Sequence, residues 1–128
     1  MEILLLVGRI VFGAFFVMSG INHFTNLKMM SGYSASKGVP APTLAVVGTG
    51  VILVAGGLSV ILGLLPVVGL LLLIAFLLPT AFLMHNFWTV EDPMVRAAEQ
   101  VNFLKNVALA GAAFALLYGA ASWPLTIG

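Results

Sequence analysis

The sequence predicts an all-α protein, a transmembrane four-helix bundle. Hydrophobic residues make up 62% of the 128 positions and charged residues only 7%, whereas about 25% of a typical soluble domain is charged. Five basic and four acidic side chains cannot cover the surface of a water-soluble protein of this size. The mean hydropathy of +1.19 agrees with a chain that lies in lipid. We therefore expect one membrane domain over residues 1–128.

Polar connectors divide the apolar sequence into four expected membrane spans. No residue from Gly38 to Val90 is charged, a length that suits two crossings of about 20 residues each. Because proline favours the start of a helix and glycine its end, the turn between them is expected near Pro66. Backbone polar groups in lipid must be satisfied within the segment, so each span is expected to be helical. The spans are expected at about residues 3–22, 43–65, 67–87 and 100–122.

Local features predict how these helices start, bend and pack. Asp92 followed by Pro93 is typical of an N-cap and a first helical residue. Pro79 has no N–H, so the third span is expected to kink there and to leave the Ala75 carbonyl without a helical partner. Small residues let helices approach closely in lipid. We expect them to form packing faces on the second span (Ala45, Thr49, Gly56, Ser59 and Gly63) and on the fourth (Ala108, Gly111, Ala112, Ala115 and Gly119).

Charge and composition exclude several classes of function. A net charge of +1 without a basic face does not favour nucleic-acid binding, and the absence of cysteine excludes disulfide and thiol redox chemistry. No catalytic motif is present, so the sequence does not predict whether the protein is an enzyme. At most, we expect it to be associated with an oxidoreductase. Basic residues are more frequent near the connectors 22–42 and 88–100 than near the termini. The positive-inside rule then predicts a multi-pass cell-membrane protein with cytoplasmic connectors and both termini outside.

Arg9 is the most unusual residue of the first span. A charge near the centre of a membrane helix costs about 2.5–3.5 kcal/mol on insertion scales. Two interpretations are open: the side chain snorkels toward the terminal side near Glu2, or it faces an internal cavity. Helical periodicity places Arg9 on one face with Gly13, Phe16, Gly20 and His23.

Other polar side chains gather at the connector end of the expected bundle, where the first and third spans end and the fourth begins. Their amide, imidazole and ammonium groups could bind the headgroup of an amphipathic molecule such as a quinone, or they could cap the bundle where the hydrocarbon ends. Haem held by two histidines fits less well because each histidine ends its span, and no carboxylate cluster supports a metal site. The candidate ligand-binding residues are Arg9, Asn22, His23, His85, Asn86, Asn102, Lys105 and Asn106, with Gln100 at the same level.

Four segments resemble the DoxX family of small four-span membrane proteins. They occur in the family's order over nearly the whole chain: Gly8-Arg9-Ile10 with Phe15–Gly20, Lys37–Pro42, His85–Trp88 and Phe103–Leu109. The resemblance implies a membrane four-helix bundle. Because relatives are named as subunits of thiosulfate:quinone oxidoreductase or of terminal quinol oxidase, and others are associated with oxidative-stress complexes, it also implies a setting in redox chemistry. Leu53 departs from the family pattern, since many members carry a glutamate there.

Three functions remain open on this basis. The first is a non-catalytic membrane subunit or scaffold of a redox system, embedded in the lipid bilayer beside a membrane or peripheral redox protein, or beside copies of itself. The second is a quinone-reactive oxidoreductase subunit with a quinone site inside the membrane. The third is a small permeation or lipid-binding protein that uses Arg9 and the kink at Pro79. The connectors are too short for a soluble catalytic domain, so any chemistry would take place in the membrane or on a partner.

Overall fold

The computed structural model describes all residues 1–128 and contains helices and turns but no strand. Four of its helices are long and apolar enough to cross a membrane, which confirms the predicted fold class. The helices are α1 (Glu2–Thr25), α2 (Leu27–Ser36), α3 (Pro42–Leu62), α4 (Pro66–Met84) and α5 (Pro93–Leu117), with 3-10 turns at Phe87–Thr89 and Ala120–Ser122.

The spanning helices follow one another around the bundle: α1 lies against α3, α3 against α4, and α4 against α5. Helices α1 and α5 also come near each other, since Lys105 Nζ of α5 lies 5.7 Å from the centre of the Phe15 ring of α1. The buried face of α1 is the predicted one, since its buried residues are Arg9, Gly13, Phe16, Gly20 and His23. The apolar core between the helices includes Leu53, which is fully buried, along with Phe16, Val60, Leu70, Leu73 and Leu77.

Paired glycines bring α1 and α3 into close contact. A Cβ atom on Gly13 would lie 2.6 Å from the Gly57 carbonyl oxygen, and one on Gly57 would lie 2.6 Å from the Gly13 carbonyl oxygen. Two turns further along α1, a Cβ on Gly20 would lie 2.8 Å from the Gly50 carbonyl oxygen of α3. Only glycine fits at these crossings, so the two backbones touch directly, as is typical of helix pairs in lipid.

The predicted small-residue faces are correct for α3 and wrong for α5. Gly56 and Ser59 of α3 pack against Gly69 of α4. The predicted α5 face is exposed instead, and a Cβ on Gly111 would meet nothing within 4 Å. The buried side of α5 carries Ala110 and Ala113, because the bulkier Leu70, Leu73 and Leu77 of α4 fill the space opposite them. Small residues therefore occur on both sides of α5, and sequence could not tell the two sides apart.

Two glycines, a proline and an aspartate cap set several of the helix boundaries. Gly63 ends α3 with φ +70° and Pro66 begins α4. The Asp92 carboxylate accepts hydrogen bonds from the backbone N–H groups of Met94 (2.9 Å) and Val95 (3.3 Å) at the start of α5. The last helix ends at Leu117 rather than near residue 122, because Gly119 has φ +70° and turns the chain out of the helix.

Helix α2 was not expected, because the polar connector 22–42 reads as turn-rich. It packs against α3 and buries Ser31 and Ser34. The spacing of Leu27, Met30 and Ser34 is helical, and this spacing could have indicated the helix. Helix α2 has low hydropathy, and only continuous apolar runs predict membrane spans, so the four-span prediction does not include it.

Candidate functional site

A cavity of about 400 Å³ lies among α1, α2, α3, α4 and α5 at the connector end of the bundle. Its wall is mixed. Aromatic and aliphatic side chains supply most of it, and the polar wall residues are Ser19, His23, Tyr33, Ser34, Thr49, Thr80, His85, Lys105 and Asn106.

The proline in α4 helps to shape this cavity. Pro79 lies inside α4, and it lines the cavity together with Ala75 one turn earlier. Because Pro79 has no N–H, the Ala75 carbonyl has no partner in the helical ladder. The break in the ladder thus falls at the cavity wall, where a carbonyl without a helical partner adds to the polar groups.

His23 is anchored at the α1–α3 contact. Its Nδ1 atom lies 3.0 Å from the Val46 carbonyl oxygen and 3.1 Å from Thr49 Oγ1. The close approach of Gly50 allows this, since a Cβ there would lie 3.0 Å from the His23 Cβ. His23 is 6% exposed, and its Nε2 atom makes no hydrogen bond within the protein.

Glu99 is the centre of a polar cluster beside the cavity. Its carboxylate accepts hydrogen bonds from the Tyr33 hydroxyl (2.8 Å) and from Asn102 Nδ2 (3.1 Å). His85 Nδ1 lies 3.4 Å from both carboxylate oxygens. Lys37 Nζ lies 4.0 Å from Glu99 Oε2 and donates to Asn86 Oδ1 at 2.7 Å. We call these six residues the Glu99 cluster: Tyr33, Lys37, His85, Asn86, Glu99 and Asn102.

The Glu99 cluster joins α2 and the end of α4 to α5 and reaches the cavity through Tyr33 and His85. Burial raises the pKa of Tyr33 to about 12, and the hydrogen bond to Glu99 and the negative charge of its carboxylate act in the same direction. The Tyr33 hydroxyl therefore stays protonated at neutral pH. It holds α2 over the cavity as a donor to Glu99.

Three further polar groups at the cavity have no partner in the protein. Asn106 (5% exposed) and Ser34 (8% exposed) both line the cavity. Neither takes part in the side-chain hydrogen bonds that join their neighbours. The Lys105 ammonium forms no ion pair and lies 5.7 Å from the centre of the Phe15 ring on α1. These groups are available to form hydrogen bonds with a polar ligand.

Arg9 lies at the opposite end of the bundle, where backbone carbonyl oxygens surround its side chain. Its side chain is fully buried and donates to the carbonyl oxygens of Val60 (3.0 Å) and Ile61 (2.9 Å), which have no helical partners at the end of α3. It also donates to Pro124 (2.9 Å) and Leu125 (3.2 Å) in the C-terminal tail. The guanidinium lies 5.0 Å from the centre of the Trp123 ring.

The structure therefore divides the predicted site residues among several places. His23, His85, Lys105 and Asn106 meet at the cavity, and Asn86 and Asn102 belong to the Glu99 cluster. Asn22 contacts Asn26 and Met30 Sδ outside the cavity. Arg9 and the exposed Gln100 lie elsewhere.

Sequence reasoning did not select Tyr33, Lys37 or Glu99 as site residues. Glu99 precedes Asn102 by one helical turn, and this spacing was the signal that could have included it. Tyr33 lies on the unexpected helix α2 and gave no signal, whereas Lys37 at the end of α2 begins one of the four segments that resemble the family. No group of three or more His, Asp and Glu side chains is arranged to hold a metal ion.

The four apolar helices and their order define a multi-pass membrane protein. A family model described as DoxX matches residues 4–86, well over half of the chain. The chain belongs to the DoxX family, which confirms the resemblance; the matched residues include His23 and His85 but end before α5. No curated protein and no solved structure gives a match.

Proposed function

We propose that this protein binds a lipid-soluble molecule of the quinone class in the cavity and does so within a membrane redox system. The observation that carries the proposal is Asn106, a residue only 5% exposed that lines the cavity and makes no side-chain hydrogen bond within the protein. Its amide is therefore available to a ligand with polar ring substituents.

The lining of the cavity suits such a ring. Phe15, Phe16 and Phe76 offer aromatic faces, while Lys105 and Asn106 offer donors at the same wall. The volume of about 400 Å³ lies within the range of about 300–1,000 Å³ that is usual for small-molecule sites. Ring stacking and a few placed polar groups are the combination that a quinone headgroup needs.

The gap between α1 and α5 is where a ligand would enter from the lipid. Phe15 of α1 and Lys105 of α5 both line the cavity and lie close to each other. Phe15 is 41% exposed. An isoprenoid tail could therefore remain in the lipid between α1 and α5 while the headgroup enters the cavity.

Filling the cavity tests the proposal. Ala45 lines the cavity, and Ala45→Phe is expected to weaken binding of a short-chain ubiquinone analogue at least about tenfold, because the new ring occupies the headgroup's space. Ala108→Phe makes the same change on the exposed face of α5 and is expected to bind like the wild type. Affinity is measured by calorimetry in detergent, with protein-free micelles as the blank.

Two results would contradict the proposal. One is a wild-type protein that takes up no more analogue than the blank micelles do. The other is a folded Ala45→Phe protein that binds as tightly as Ala108→Phe. Size-exclusion profiles of both variants establish that each is folded.

A role as a subunit beside a redox partner is the second candidate. The two connectors at the cavity end, residues 26–41 and 85–92, hold one short helix and one turn. Electron transfer to or from a bound quinone would then involve another protein. Purification from native membranes in mild detergent is expected to retain a redox protein, and recovery of this chain alone would count against the subunit role.

We further propose that the connectors face the cytoplasm and that both termini lie outside. The chain has no cysteine, so single cysteines report the orientation cleanly. In intact cells, a membrane-impermeant maleimide is expected to label Gly128→Cys but to label Ser36→Cys only after permeabilisation. The reverse pattern would show that the orientation is inverted.

A further inference from the structure

The proton on the His23 ring is located by its neighbours. The Val46 carbonyl oxygen, 3.0 Å from Nδ1, can only accept a hydrogen bond. Thr49 Oγ1 donates its proton to the Ala45 carbonyl oxygen at 2.7 Å, so toward His23 it too acts as an acceptor. Nδ1 must therefore carry the proton, and in the neutral ring Nε2 is left with a free lone pair.

The same reasoning applies to His85. Both groups that hydrogen-bond the Glu99 carboxylate most closely, the Tyr33 hydroxyl and the Asn102 amide, are donors, and the Lys37 ammonium adds a positive charge. Glu99 is thus an ionised acceptor. His85 Nδ1, at 3.4 Å from both carboxylate oxygens, donates to it, and Nε2 of the neutral ring is again a free acceptor.

Two imidazole acceptors from different parts of the chain therefore belong to one cavity, since His23 and His85 both line it. From this we infer that the cavity selects a ligand with hydroxyl donors, the dihydroxy (hydroquinone) form of a quinone, over the dicarbonyl form. The inference rests on the proposed function and adds the oxidation state of the ligand. A quinone carbonyl would place its own lone pairs against the imidazole lone pairs.

The donors at the cavity do not remove this preference. Lys105 and Asn106 can donate to a ligand oxygen, and a hydroxyl oxygen can also accept such a bond while its own proton goes to an imidazole. The Tyr33 proton is already given to Glu99. The hydroquinone satisfies donors and acceptors together, whereas the quinone satisfies only the donors.

The test compares three ligands that share the tetramethyl ring and its two oxygens under anaerobic conditions: durohydroquinone, duroquinone and the dimethyl ether of durohydroquinone. Calorimetry of the purified wild-type protein in detergent is expected to give at least about tenfold tighter binding of durohydroquinone than of the other two, because a single net hydrogen bond is worth about one such factor. The dimethyl ether keeps the ring and its oxygens but has no proton to donate.

Two variants locate the effect. His85→Asn and His23→Asn each keep an amide near the position of Nδ1 and remove Nε2. Each is expected to reduce the preference for durohydroquinone several-fold. Asn22→Ala, which lies beside His23 but outside the cavity, is expected to keep the wild-type preference.

The outcomes separate the two proposals. Equal binding of durohydroquinone and duroquinone, or equal binding of the dimethyl ether, overturns the inference and leaves the proposed function in place. Binding of none of the three overturns both. The wild-type comparison decides the inference even if a histidine variant fails to fold.

Discussion

Replacing Arg9 by alanine is expected to lower the free energy of unfolding by about 3–5 kcal/mol, because hydrogen bonds from a charged group contribute about 1.5–3 kcal/mol each and lost buried partners add a penalty. Four carbonyl oxygens, two at the end of α3 and two in the C-terminal tail, lose their donor in this variant. The measurement is thermal unfolding in a fixed detergent, followed by circular dichroism.

Arg96→Ala is the matched control for this prediction. Arg96 is exposed on α5 and makes no side-chain hydrogen bond, so its loss is expected to change stability by less than about 0.5 kcal/mol. Arg9→Lys separates charge from geometry, because an ammonium cannot span the same carbonyls and is expected to recover only a small part of the stability. If Arg9→Ala and Arg96→Ala unfold at the same temperature, Arg9 does not hold the tail.

Replacing Gly57 by alanine is expected to destabilise the protein by about 1–3 kcal/mol, the usual effect of overpacking. The added Cβ would lie 2.6 Å from the Gly13 carbonyl oxygen and 3.0 Å from the Val17 backbone nitrogen. Both neighbours are backbone atoms and cannot rotate away, so α1 has to move off α3. Thermal unfolding under the conditions used for Arg9 measures the loss.

Gly111→Ala is the control for the glycine prediction. It makes the same change inside α5 where a Cβ meets nothing within 4 Å, and alanine is the better helix former. We expect unchanged or slightly higher stability. A Gly57→Ala protein as stable as Gly111→Ala would show that the α1–α3 contact is looser than its geometry indicates.

The same contact connects stability to the proposed site. Gly50 and Gly20 bring α1 against α3 beside His23, and the hydrogen bonds of His23 to Val46 and Thr49 depend on that approach. A substitution that separates the helices would therefore disturb the imidazole as well. Binding assays on glycine variants are informative only where the variant has kept its fold.

Local sequence properties predicted part of the site. Helical periodicity placed His23 on the buried face of α1, and chain direction brought His85, Lys105 and Asn106 to the same level. Neither property distinguished the cavity wall from the Glu99 cluster, because Asn102 and Asn106 are one turn apart on α5 yet belong to different groups. Side chains on α2 and α4 determine which group each asparagine joins, and the pattern of a single helix does not include them.

The sequence by itself determined that the chain has four helices long and apolar enough to cross a membrane, and which face of α1 is buried. Each of these follows from hydropathy or periodicity summed over neighbouring residues. Only the tertiary structure decided that Arg9 binds the C-terminal tail, that Glu99 joins α2 to α5, and that side chains from all five helices line one cavity. These contacts join residues far apart in the chain, and which helices become neighbours depends on how closely their side chains let the backbones approach.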